Sequence, residues 1–149
     1  MPAGSELTLP HTFRPVGVRI AITVLGFMLL LIAVVMWVAF PPEIRAQFTL
    51  LQLLTLVVLG LAFYACGFAI ARSRVVARHD GLTVVNGYRT RQLDWNQVIA
   101  VSLRNGSPWA TLDLSDGSTI SCLGIQGSDG DRAQQQVRQL RRLVAELTR

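Results

Sequence analysis

Two long apolar runs are the feature that most constrains this chain. The first covers residues 20–40 and the second residues 48–71, and neither contains an acidic or basic residue. A helix needs about 20 consecutive, mainly apolar residues to cross the hydrocarbon core of a bilayer. The polar break between the runs opens with Pro41 and Pro42, which favour a sharp stop after the first helix. The sequence therefore predicts a transmembrane helical hairpin rather than one span and one buried helix.

The remainder of the chain has room for one small domain, because the whole chain has only 149 residues. We predict a flexible N-terminal tail over residues 1–17, the hairpin over residues 18–74 and a soluble domain over residues 75–149. The predicted spans within the hairpin are about residues 20–40 and 48–71.

Arginines flank the hairpin unevenly and predict its orientation. Two precede the first span, three follow the second, and one lies in the break: Arg14 and Arg19; Arg72, Arg74 and Arg78; Arg45. Basic residues in short flanks stay on the cytoplasmic side of a membrane. We therefore predict a multi-pass protein of the cell (inner) membrane with both termini in the cytoplasm.

Small residues recur two helical turns apart in both spans, at Gly26 and Ala33 and at Gly60 and Gly67. This spacing would let the two antiparallel helices approach closely, although glycine and alanine are also frequent in membrane helices generally. Neither span has an ionisable residue near its middle, which argues against a proton-coupled transporter or an ion channel formed by one chain.

After Arg74 the pattern changes to short runs separated by turn dipeptides. Four dipeptides are of the Asn-Gly or Asp-Gly kind that favours tight hairpins: Asp80-Gly81, Asn86-Gly87, Asn105-Gly106 and Asp116-Gly117. Alternation within the runs predicts the inward-facing residues of three strands: Ile99, Val101 and Leu103; Ala110, Leu112 and Leu114; Ile120 and Cys122. The sequence therefore predicts an antiparallel meander with one buried face.

A final helix is predicted after residue 130, with Asp129 or Asp131 as its cap. Its apolar residues recur at steps of four and three: Ala133, Val137, Leu140, Val144 and Leu147. We expect this stripe to pack against the bent sheet, with a membrane-lying helix or a coiled-coil partner as the alternative.

Several classes of function lack a sequence signal. Residues 75–149 carry nine arginines and seven acidic residues, a mixed charge that does not favour nucleic-acid binding. The two cysteines, Cys66 and Cys122, and the two histidines, His11 and His79, have no ligand spacing, so we predict no metal or other cofactor. The aspartates suit turns, and no nucleophile motif or phosphate-binding glycine loop is present, so we predict no catalytic residue.

The segment from Tyr88 to Val98, with Leu93, Trp95 and Val98 in a packing pattern, resembles the bacterial pleckstrin-homology (PH) domain proteins. More narrowly, the chain is similar to small actinobacterial membrane proteins in which such a domain follows a two-helix hairpin. The resemblance implies a membrane α-helical hairpin plus a small α+β, mainly antiparallel β domain. It further implies a bent sheet or split barrel capped by a C-terminal helix, with a binding or scaffolding role and no catalysis.

Eukaryotic relatives of this family bind phosphoinositides through a basic loop between their first two strands. In this chain the turn at residues 79–81 is expected in that place, and it is too short to form a basic pocket. The resemblance therefore implies no phosphoinositide-binding residue here.

The predicted function is that of a non-catalytic scaffold whose cytoplasmic domain binds a protein partner, with Trp109 as a candidate contact. One alternative is a sensor of anionic membrane lipids that uses Arg72, Arg74, Arg78, Arg89 and Arg91. If they do not bind lipid, Arg72 and Arg74 only fix the topology of the hairpin, and Arg89 and Arg91 lie on a solvated strand face. The other alternative is an accessory subunit of a larger membrane complex, and homo-oligomerisation stays open.

Overall fold

The computed structural model describes residues 8–148. Its helices are α1 (Val16–Ala39), the short α2 (Pro42–Arg45), α3 (Leu50–Arg72) and α4 (Asp131–Leu147). Its strands are β1 (His11–Phe13), β2 (Arg74–Ala77), β3 (Leu82–Asn86), β4 (Arg89–Leu93), β5 (Val98–Ser102), β6 (Trp109–Leu114) and β7 (Thr119–Gln126).

The helices α1 and α3 form an apolar hairpin that is long and apolar enough to cross a membrane, by length and composition. Neither helix has a buried residue. Pro15 stands immediately before α1, where its missing backbone donor is harmless. A reciprocal pair of hydrogen bonds between Thr49 and Gln52 begins α3 as a capping box.

Of the three glycines that the sequence placed at the helix contact, only Gly67 lies there. A Cβ atom built on Gly67 would stand 2.9 Å from Cγ2 of Ile22, whereas one built on Gly26 or Gly60 would meet nothing within 4 Å. The predicted approach through small residues therefore holds at Gly67, while Gly26 and Gly60 face outward. The sequence spacing alone could not give the rotation of each helix about its axis.

The first strand of the domain comes from before the hairpin. Strand β1 pairs antiparallel with β2, with His11 opposite Ala77 and Phe13 opposite Val75. The side chain of Phe13 is only 1% exposed and belongs to the core. This differs from the flexible tail predicted over residues 1–17, because burial of Phe13 and pairing with β2 order residues 11–17; residues 1–7 lie outside the described residues.

The hairpin is consequently the connection between the first two strands of the sheet. The turn at residues 79–81, which we expected there, joins β2 to β3 instead. An apolar hairpin placed between two paired strands cannot be recognised from local patterning, since the paired residues of β1 and β2 lie about sixty residues apart in sequence.

Two antiparallel sheets build the domain, with orders β1-β2-β3-β4 and β5-β6-β7. They are not closed into one barrel. Asn86 links them, because its Nδ2 donates to the carbonyl of Ser121 on β7 and its Oδ1 accepts from the Leu123 amide. Gly124 lets β7 cross close to β2, since a Cβ on this residue would lie 2.6 Å from Cα of Arg74 on β2.

The strand alternation is confirmed for β6 and β7 and is wrong at one position of β5. Ala110, Leu112 and Leu114 are buried, and so are Ile120 and Cys122. Ile99 was predicted to face inward with Val101, but its side chain is 65% exposed. The register between β5 and β6 shifts between Val98 and Ala100, so one extra residue turns Ile99 outward and Val98 inward.

Helix α4 packs its predicted apolar stripe into the core shared by both sheets. The stripe residues Ala133, Val137, Leu140 and Val144 are buried, together with Leu143. This burial accounts for the stripe without a membrane-lying helix or a coiled coil. Two apolar helices followed by antiparallel sheets and a C-terminal helix confirm the predicted fold class.

Candidate functional site

The base of the hairpin is held by a carboxylate from the opposite end of the chain. The amides of Val16 and Gly17, in the first turn of α1, donate to the two oxygens of Asp129 at 3.1 and 3.0 Å. We expected Asp129 or Asp131 to cap α4, but the residue before α4 is Gly130, and no side chain caps that helix. Asp129 instead satisfies backbone donors of α1 that no helical carbonyl can reach.

A second set of contacts fastens the end of α3 to the turn between β3 and β4. The hydroxyl of Ser73 accepts from the Gly87 amide at 2.9 Å and donates to the Ala69 carbonyl at 3.0 Å. The hydroxyl of Tyr88 donates to the carbonyl of Ala65 at 2.8 Å. Both ends of the hairpin are therefore anchored in the folded domain.

The five arginines proposed for lipid contact do not form one cluster. The guanidinium of Arg72 lies over the rings of Phe68 and Tyr88, with 5.8 and 5.6 Å to the centroids. Arg74 begins β2 and Arg89 follows Tyr88, so both stand at the hairpin end of the sheet. Arg78 follows the opposite end of β2, and Arg91 lies in the middle of β4 near Asp116.

Trp109, the predicted partner contact, is 36% exposed at the start of β6. It pairs in register with Gln126, next to the turn that carries Asp129. Trp109 therefore lies towards the hairpin end of the domain. Trp95, by contrast, is 5% exposed, and its indole donates to the Arg78 carbonyl at 3.0 Å.

An apolar groove of about 730 Å³ runs between β5 and α4. The β5 side contributes Val98 to Ser102, and the α4 side contributes Arg141, Val144 and Ala145. The exposed side chain of Ile99 lines this groove. Sequence reasoning missed this site because the register shift that exposes Ile99 has no local signature.

A second, polar pocket of about 440 Å³ lies between β1, the first turns of α1 and the first turns of α4. Its basic lining residues are His11, Arg14, Arg19 and Arg132. The sequence places Arg14 and Arg19 just before the first span, but Arg132 joins them only through the fold.

The remaining reactive groups do not form a catalytic or metal centre in the part of the chain that the structure describes. Within residues 8–148 no group of three or more His, Cys, Asp or Glu side chains is placed to hold a metal ion. Burial raises the pKa of the Cys122 thiol to about 12, so this group stays protonated at neutral pH. The arrangement supplies surfaces for binding and no nucleophile paired with a base.

Residues 72–143 match the family model of the bacterial PH domain. The chain carries a bacterial PH domain. The matched residues cover β2 to β7 and α4 as far as Leu143, whereas β1 lies outside them and is supplied from before the hairpin. PH domains are generally non-catalytic.

The chain is also similar to uncharacterised proteins of Mycobacterium tuberculosis and Mycobacterium bovis. Each is 38% identical over 87 residues, which is 58% of this chain and 56% of the relative. The match thus spans about half the length of these curated relatives, and their names state no activity. No solved structure matches the chain.

Proposed function

We propose that this chain is a non-catalytic adaptor of the cell membrane whose PH domain binds an extended segment of a protein partner. In this proposal α1 and α3 cross the bilayer, and the PH domain and both termini lie in the cytoplasm. The groove between β5 and α4 is the observation that carries the proposal.

Two edge strands of the PH domain, β4 and β5, differ in a way that favours β5 as the site for a partner strand. Strand β4 has four exposed residues, of which Arg89 and Arg91 are charged, and charged edges resist pairing with other chains. Strand β5 is one edge of the other sheet and presents Ile99 beside an apolar groove. An incoming strand could pair with the backbone of β5 while its side chains occupy the groove.

One residue already contacts the outer edge of β5. The Nε of Arg141 donates to the carbonyl of Val101 at 2.7 Å. The Arg141 side chain is exposed, so it can move to release this carbonyl to a partner strand. We therefore expect pairing to begin near Ile99 and to extend past Val101 only when Arg141 is displaced.

The membrane part of the proposal rests on composition, flanking charge and the fold. Both helices meet the length and apolarity for crossing. Pairing of β1 with β2 requires the start of α1 and the end of α3 to lie on one side of a membrane. The flanking arginines favour the cytoplasmic side.

Site-specific photo-crosslinking in native membranes tests the groove. A photo-reactive amino acid at Ile99 should give one dominant protein adduct, and the same probe at Thr90, exposed on the β4 edge, should give at least about tenfold less of it. Ile99→Arg should abolish co-purification of the crosslinked protein without unfolding the domain, because Ile99 is exposed. Equal adducts at both positions, or no adduct at Ile99, would contradict the proposal.

Recognition of anionic lipid is a second candidate, favoured by the placement of Arg72, Arg74 and Arg89 at the hairpin end of the domain. Arg78 does not support it, since it lies at the far end of β2. The accessory-subunit alternative has the outward-facing Gly26 and Gly60 in its favour, at positions where another helix could approach.

A further inference from the structure

We propose that Asn105, in the turn between β5 and β6, is a site of spontaneous deamidation, which converts its side-chain amide to a carboxylate in the folded protein. Water is the only reactant besides the chain itself. Neither the β5 groove nor the membrane crossing is required for this reaction, so its test is independent of the proposed function.

The sequence contains two Asn-Gly dipeptides, Asn86-Gly87 and Asn105-Gly106, and both lie in turns between strands. An asparagine followed by glycine deamidates readily, because the attacking amide nitrogen of glycine has no side chain beside it. The local sequence therefore predicts similar reactivity for the two pairs. Their surroundings in the fold decide which of them reacts.

The reacting groups of Asn105 are free in the folded protein. Asn105 and Gly106 are both exposed, and within residues 8–148 neither the Asn105 side chain nor the Gly106 amide makes a hydrogen bond. Gly106 has a φ of 84°, and a Cβ built on it would meet nothing within 4 Å. The hydrogen bond that closes the turn, from the Ser107 amide to the Arg104 carbonyl at 2.9 Å, involves neither reacting group. The glycine nitrogen can therefore approach the side-chain carbonyl carbon of Asn105.

Asn86, by contrast, is held at every reacting group. Its Nδ2 donates to the Ser121 carbonyl, and its Oδ1 accepts from the Leu123 amide at 3.0 Å. The amide of the buried Gly87 donates to the Ser73 hydroxyl at 2.9 Å. Deamidation would have to break all three hydrogen bonds, which requires a local opening of the fold. We therefore expect Asn86 to react at least about tenfold more slowly than the exposed site.

The reaction at Asn105 passes through a cyclic imide. The backbone nitrogen of Gly106 attacks Cγ of Asn105, and the Cγ–Nδ2 bond breaks. Nδ2 takes up the proton of the Gly106 amide through water and leaves as ammonia. Water then opens the imide: attack at Cγ gives aspartate, and attack at the main-chain carbonyl carbon gives isoaspartate. One water is consumed and one ammonia released, with no oxidation or reduction.

The products alter the turn at the end of β5 in two ways. Both aspartate and isoaspartate add a negative charge next to Arg104. Isoaspartate also adds one carbon to the main chain, since the chain then continues through the former side chain. This longer turn should weaken the hydrogen bond between Ser107 and Arg104. An aged chain thus differs in charge and in backbone from a newly made one.

The test incubates the full folded chain in mild detergent at neutral pH and physiological temperature, and mass spectrometry follows the peptides that contain each asparagine. Asn105 should be converted to the acid at least about tenfold faster than Asn86. An isoaspartate methyltransferase with a labelled methyl donor should label this turn in the wild type. Asn105→Gln is the matched control, because it keeps an exposed amide but its longer side chain would have to form a larger ring. This variant should gain no label in the turn and no acidic species on isoelectric focusing.

Incubation of the chain in denaturant separates the effect of the fold from that of the local sequence. Both asparagines should then react at similar rates, because the hydrogen bonds that protect Asn86 are gone. Equal rates at the two sites in the folded protein, or faster conversion of Asn86, would overturn the proposal. An unchanged Asn105 in the folded chain, when the unfolded chain reacts, would overturn it as well.

Discussion

Single side chains fasten the hairpin to the PH domain. Asp129 holds the first turn of α1, Ser73 joins the end of α3 to Gly87, and Tyr88 reaches along α3 to Ala65. These contacts tie the helices to the domain at both ends.

Replacing Asp129 with alanine should loosen the start of α1. The variant loses two charge-assisted hydrogen bonds, and we expect a loss of stability of about 1–2 kcal/mol, the range found for helix caps. Hydrogen exchange should accelerate at the amides of Val16 and Gly17. Asp131→Ala is the control, since it removes a neighbouring acid without touching α1; equal exchange in the two variants would refute the capping role.

The sequence predicted the burial of single residues, whereas it did not predict contacts between residues far apart in the chain. The burial of Cys122 followed from strand alternation, and it is confirmed. The role of Asp129 did not follow, because an aspartate before a helical pattern satisfies the local rule for capping that helix. Its observed acceptor role is set by a backbone more than a hundred residues earlier in the chain.

At the scale of elements, the crossing of β7 over β2 joins the two sheets. Gly124 lies on β7 at this contact, and because it has no side chain, β7 can approach the backbone at Arg74. Two further features shape the sheets: the register of β5 shifts against β6, and β1, from before the hairpin, pairs with β2. Turn dipeptides and helix periodicity predicted the order of β2 to α4, since those signals are local. They could not predict β1, which is three residues long and pairs across the hairpin.

Gly124→Ala should separate the two sheets at the crossing. The added Cβ would stand 2.6 Å from Cα of Arg74 and 2.8 Å from the Val75 amide nitrogen, so the backbone must shift. We expect a loss of about 1–3 kcal/mol, the usual cost of overpacking. Ser121→Ala, on the same strand, adds no volume and should change stability by less than about 0.5 kcal/mol. Chemical denaturation of both variants in the same detergent measures the difference; equal midpoints would show that the crossing is not tight.

At the scale of the whole molecule, the fold predicts a topology that is independent of the positive-inside rule. Strands β1 and β2 belong to one sheet, so residues on either side of the hairpin must share one side of the membrane. Single cysteines at the exposed positions Thr8, Asp80 and Glu43, in a chain that lacks Cys66 and Cys122, test this with a membrane-impermeant maleimide. In intact spheroplasts Glu43→Cys should be labelled, and the other two only after permeabilisation.

The possible labelling patterns separate the sheet pairing, the membrane crossing and the charge rule. Opposite sides for Thr8→Cys and Asp80→Cys would exclude the pairing of β1 with β2 and therefore the four-stranded sheet. One side for all three positions would exclude crossing by the hairpin. Labelling of Thr8→Cys and Asp80→Cys from outside, with Glu43→Cys inside, would preserve the sheet but reverse the orientation expected from the flanking arginines. Each of the three expectations thus has an outcome that contradicts it.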